Sequence, residues 1–176
     1  MNIFYLHPSP VISAQFAVDR HVVKMVLETC QLLSTAHRVI DGAPVKCISK
    51  TGRSVTRYVL NDHRESVLYQ ATHINHPSSV WCRASTENYR WLHEHLEALL
   101  IEYTHRYNKI HSCAPLSETL KTAPLNIKHG SFTQPTPAMD KSYIISNDSV
   151  ENYRNYYKQG KVHIHKWTKR EKPFWL

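Results

Sequence analysis

Glu28 is the residue whose setting invites chemistry. It stands seven residues after His21 and four after Lys24, so on a helix all three share one face. A carboxylate there can steady a developing cation or move a proton, with the lysine or imidazole supplying charge beside it. The same spacing also describes a plain surface ion pair, which contributes only about 0.3–0.5 kcal/mol. Spacing alone does not choose between them.

The thirteen histidines offer a second chemistry. His73 with His76, His93 with His95, and His163 with His165 have the separations of metal-ligand pairs, and Asp19, Asp62 or Glu28 would complete a hydrolytic set. None forms a compact His-Glu-x-x-His motif, and residues two apart on a helix diverge, which separates His93 from His95. Most of them are expected exposed or at the edge of the core; His21, on the Glu28 face, is the exception. Four glycines cannot build a phosphate-cradling loop, and no strand-turn-helix elbow presents a serine, so nucleotide-loop and Ser-His-Asp chemistry are set aside. Cys30, Cys47, Cys82 and Cys113 include no Cys-x-x-Cys pair and are expected as reduced thiols rather than zinc ligands or disulfides.

The elements that must position these residues are helical. From about Ser13 to Ile40, apolar residues recur at helical spacing as Val22, Val26, Leu33, Ala36 and Ile40, with Thr29 in the gap. The opposite register, His21, Lys24, Glu28, Gln31, Thr35 and Arg38, is expected as a polar face, and Asp41-Gly42-Ala43-Pro44 ends the helix. Residues 45–60 carry β-branched residues around Lys50-Thr51-Gly52-Arg53 and suit a small basic β-hairpin or an extended loop. A short helix is expected within 61–70, then a break at His73–Pro77. A second long helix spans 85–108, with Ser85 or Thr86 as cap and Leu92, Leu96, Leu99 and Tyr103 as its apolar stripe. Trp81, Tyr89 and Trp91 suit the core. Four prolines make 109–140 irregular, and a third helix over 148–159 leads to a basic aromatic tail ending Phe174-Trp175-Leu176.

The sum is one compact, mainly α domain over residues 1–176, with three main helices. An apolar fraction of 41% and a charged fraction of 20% suit a folded chain with its own core. No apolar run nears the roughly 20 residues of a membrane span. The first six residues have no basic leader before His7-Pro8, so the expectation is a cytoplasmic protein without a signal peptide.

Charge points to a polyanion. Of the net +8, residues 151–176 hold seven Lys/Arg against two Glu, and Lys46, Lys50, Arg53 and Arg57 fall in a stretch without acidic residues. Basic residues interleaved with aromatics suit phosphates and stacked bases, although a basic surface also serves solubility.

Asp19-Arg20-His21-Val22-Val23-Lys24-Met25-Val26-Leu27-Glu28 resembles the first helix of the phage endonuclease V family of pyrimidine-dimer DNA glycosylases and AP lyases, with its catalytic Glu seven residues after the His. Leu6-His7-Pro8, Asn75-His76-Pro77 with the helix behind it, and Asn155-Tyr156-Tyr157-Lys158-Gln159-Gly160-Lys161 are also similar to that family. The resemblance implies a reaction without metal or other cofactor, on double-stranded DNA bearing damaged or modified pyrimidines. The family's nucleophile is the N-terminal α-amine, which attacks C1′ of the sugar, forms an imine and then expels phosphate. An ordinary α-amine, with a pKa of about 7.7–8 against about 10.4 for lysine, is far more often unprotonated at neutral pH. Carried over, Met1 is that nucleophile, since bulky Asn2 disfavours removal of the initiator; Glu28 is the carboxylate and His21 its companion.

Where the family has arginines beside its Glu, this chain has Leu27 and Gln31, so Arg20, Lys24 or Arg38 are expected to hold phosphates. Lys50, Arg53, Arg57, Lys158, Lys161, Lys169 and Arg170 extend the expected contact surface, and Tyr156, Tyr157 and Trp167 are expected to stack on bases. Two other readings stay open: a metal-dependent nuclease or phosphohydrolase built on histidines, and a non-catalytic nucleic-acid-binding accessory protein of phage origin. No membrane contact is expected, and the sequence names no protein partner.

Overall fold

The stretch expected as one helix over 13–40 is two in the computed structural model, which describes residues 1–49 and 51–176. α1 spans Pro10–Phe16 and α2 Asp19–Asp41, and Ala17 and Val18 between them are extended. The cause is tertiary. Buried Arg106 donates to the carbonyls of Gln15 and Ala17, and the Trp167 indole to that of Phe16, so the last carbonyls of α1 find partners outside a continuing helix.

α2 runs through the middle of the molecule. Its expected stripe is buried at Val22, Val26, Thr29, Leu33 and Ala36, with Ile40 half-buried. Its opposite register is not a solvated face: Lys24 is exposed and Gln31 half-buried, but His21, Glu28, Thr35 and Arg38 are buried. The reason is that α2 is packed by the later helices at Pro77–Cys82, Thr86–Tyr107 and Leu116–Leu120, and these four buried side chains each find a partner.

A two-stranded antiparallel hairpin follows, β1 (Ala43–Ile48) and β2 (Ser54–Val59), with Val45 opposite Arg57 and Cys47 opposite Val55. Both strands are largely exposed on both faces, so the ribbon stands away from the core. Gly52, at φ +76°, supplies the left-handed residue of the turn. Lys50 lies outside the described residues.

α3 (Arg64–Val67) falls within the expected 61–70. Pro77, expected only as a break, also opens α4 (Pro77–Cys82), where a proline's missing N–H costs nothing. α5 (Thr86–Tyr107) is capped by Ser85, whose Oγ accepts from Asn88 N–H at 3.2 Å, and Leu92, Leu96 and Leu99 are fully buried. One short helix, α6 (Leu116–Leu120), interrupts the irregular 109–140 stretch. α7 (Ser149–Gly160) is capped by Asp148, which accepts from Val150 N–H at 2.6 Å.

The chain is thus mainly helical, with α2, α5 and α7 the long helices, and one hydrophobic core takes in Ile3–Leu6 as well as the helices. Its tail is no free arm. Thr168 N–H and Oγ1 donate to Asp19, Arg106 pairs with Asp19 at 2.9 Å and Glu102 at 2.6 Å, and Arg170 pairs with Glu102 at 2.9 Å. This clamp ties the tail to the start of α2 and the end of α5. Among the described residues no helix is long and apolar enough to cross a membrane.

Candidate active site

The first residues are threaded into the protein against α2. The Asn2 N–H donates to Glu28 Oε2 at 3.1 Å, while Glu28 Oε1 pairs with Lys24 Nζ at 3.0 Å. Asn2 itself is pinned: its Oδ1 accepts from Ile3 and Phe4 N–H, and its Nδ2 donates to the Ala138 carbonyl at 2.8 Å. That turn holds Phe4 at φ +53°, a conformation that costs a bulky residue energy and persists only where its surroundings enforce it. Here the enforcement is visible: the Phe4 ring stacks on His21 at 3.9 Å and is flanked by Tyr153, Tyr156 and Tyr157.

His21 is held on its other side by Tyr157, Nδ1 to Oη at 2.6 Å. Burial, with Lys161 and Lys24 adding to it, pushes the His21 pKa down to about 3, so the ring is neutral at physiological pH. His76 caps α4, its Nδ1 accepting from Ser78 N–H at 3.2 Å. Its pKa is lowered by burial, then by the positive α-amine of Met1 and by His73, and is pulled back up by Glu28. That places the imidazole within charge range of both the amine and the carboxylate. Lys161 Nζ lies over the Tyr156 ring, 4.7 Å from its centroid.

Met1, His21, Lys24, Glu28, Tyr156, Tyr157 and Lys161, named from the sequence, therefore come together. Asn2 and Phe4 carry no motif and are not singled out for the site; the sequence offers His76 as a metal-ligand partner of His73 and as part of the Asn75-His76-Pro77 likeness, not for a place beside the carboxylate. The other expected contacts lie elsewhere. Arg38 is fully buried, donating to the carbonyls of Tyr58, Glu65, Leu68 and Tyr69 and pairing with Glu65 at 2.6 Å. Its guanidinium is spent on the fold, and it sits about 15 Å along α2 from Glu28 at 1.5 Å per residue. Tyr157 is fully buried too, out of reach of a base. Arg53 and Arg57 are exposed on the hairpin; Arg20 is exposed on the first turn of α2, and Lys158 on α7. Trp167 and Arg170 belong to the clamp, and exposed Lys169 donates to the His105 carbonyl at 2.8 Å.

The paired histidines do not converge. His93 and His95 are buried, bonded to the carbonyls of Ser117 and Pro10 at 3.0 Å each. Among the described residues no group of three His, Cys, Asp or Glu side chains is arranged to hold a metal ion. A cavity of about 430 Å³ opens beside His37 and Arg64. At its wall Arg64 pairs with Asp41 at 2.6 Å and with His37 Nδ1 at 2.9 Å.

These features define a class: a small helical domain that folds its own N-terminal segment onto a helix carboxylate, among lysines and neutral imidazoles. Within that class, the chain belongs to the pyrimidine dimer DNA glycosylase family, whose model matches residues 1–115. It is thus a member of a DNA repair family that excises bases, and its substrate class is DNA. No curated protein and no solved structure matches the chain.

Proposed function

We propose that the chain excises damaged pyrimidines from double-stranded DNA and then cleaves the strand as an AP lyase, through an imine on its N-terminal amine, without metal. The carrying observation is the seating of the N-terminal segment on Glu28, with Asn2 N at 3.1 Å from the carboxylate. In this reading the unprotonated amine attacks C1′ as the base departs with the glycosidic electron pair and takes up a proton. The nitrogen then loses a proton and the C1′–O4′ bond breaks, O4′ taking up a proton, which leaves the ring-opened imine. Glu28 steadies the cationic sugar, then accepts the C2′ proton as the 3′ phosphate leaves. Lys24, Lys161 and Arg20 hold the strand near the site, and Arg53, Arg57 and Lys158 meet phosphates farther out. Arg38 and Tyr157 leave the proposed DNA surface because both are buried.

Met1 carries the amine in this reading. The 3.1 Å bond from Asn2 N also supports a second: were Met1 removed, the amine of Asn2 itself would sit on Glu28. Borohydride trapping on duplexes bearing pyrimidine dimers or abasic sites tests both, with the modified nitrogen mapped by mass spectrometry. An adduct on residue 1 supports the first and an adduct on residue 2 the second. Trapping on a lysine, or on no lesion tried, removes both.

A further inference from the structure

Tyr157 lies in α7, beyond the stretch the family model matches, yet it touches the site's imidazole. Its hydroxyl is enclosed, and its one side-chain partner among the described residues is His21 Nδ1, at 2.6 Å. The hydroxyl proton needs an acceptor, because a buried donor left unpaired gives up its bond to water for nothing. Nδ1 is the acceptor at hand. Phe4, stacked at 3.9 Å, fixes the plane of the same ring. An imidazole that accepts at Nδ1 carries its proton on Nε2, and Nε2 has no partner among the described residues.

We propose that Tyr157 is a positioning residue: by donating its O–H to Nδ1, it fixes His21 as the Nε2–H tautomer and offers that N–H as a neutral donor to the substrate. The inference rests on the excision reaction proposed above for its kinetic part, though not for the tautomer itself. The charged groups around the ring are Lys24 on its own helix and Lys161 after α7, both cationic. Phe4 and Tyr157 add no charge, and burial raises the Tyr157 pKa, keeping its proton in place.

The test is ¹⁵N NMR of the histidine rings in the free wild-type chain, followed by Tyr157→Phe. The wild type should show His21 protonated on Nε2 and bare at Nδ1 from pH 5 to 8. Tyr157→Phe should give a mixture of tautomers, and kcat on an abasic duplex should fall by about tenfold with KM within about twofold. A wild-type His21 protonated on Nδ1 overturns the proposal even if the variant does not fold. A folded Tyr157→Phe chain with unchanged tautomer or unchanged kcat also overturns it. Failure of borohydride trapping sinks the excision reading instead and leaves the tautomer measurement standing.

Discussion

Glu28→Gln keeps the size of the side chain and an oxygen for the Asn2 N–H, but removes the negative charge. Excision and trapping should fall by about 10²–10⁴-fold, while the melting temperature stays within a few degrees, because the lost ion pair is with exposed Lys24. Single-turnover assays beside a melting curve check this; retained excision would remove Glu28 from the reaction. Asn2→Ala breaks the turn that holds Phe4 at positive φ, and should weaken trapping more than overall stability. At this scale the Glu28–His21 spacing was readable, because helical periodicity is local. The burial of Arg38 was not. Its spacing matches that of a solvent-facing arginine, and only carbonyls 20 to 31 residues away decide otherwise.

Among the elements, the clamp at the end of α5 is the most consequential. Arg106 is fully buried and serves α1, Asp19 and Glu102 together. Arg106→Met leaves Glu102 and Asp19 short of their partner, so denaturant unfolding should report a loss of about 3–5 kcal/mol. The hairpin makes the opposite prediction. Its cations are exposed and pack on nothing, so Arg53→Ala with Arg57→Ala should leave stability within about 0.5 kcal/mol. The same pair should lower the slope of log affinity against log salt by about 2 on duplex DNA. The three long helices and the cap at Ser85 were legible as periodicity and cap chemistry, and the hairpin as one of two readings of 45–60; Asp148, read as the first residue of the third helix, is its cap. The division of α1 from α2 was not, since it is enforced by Arg106 and Trp167, distant in the chain.

The whole molecule carries an acid-sensitive core. His21, His37 and His95 are held neutral, burial lowering the first to about 3 and the others to about 4. Below an unfolded-state value near 6.5, the unfolded chain binds protons that the folded chain refuses, so stability falls as pH drops from about 6.5 toward 4. Each histidine adds a slope of up to about 1.4 kcal/mol per pH unit. Asp19, Asp41 and Glu102, whose pKa values are lowered by hydrogen bonds and arginines against the opposing effect of burial, extend the loss below pH 4. Urea midpoints at pH 7, 6 and 5 should decline in order; a flat series would mean that these rings are not enclosed in solution.

Asn2 and His21 find partners at Ala138 and Tyr157, each 136 positions away. During translation, at roughly 5–20 residues per second, the asparagine and the imidazole therefore leave the ribosome many seconds before those two partners are made. The supports of the proposed site at Ala138 and Tyr157 are thus the last to be assembled, and a chain ending before α7 lacks the partner of His21.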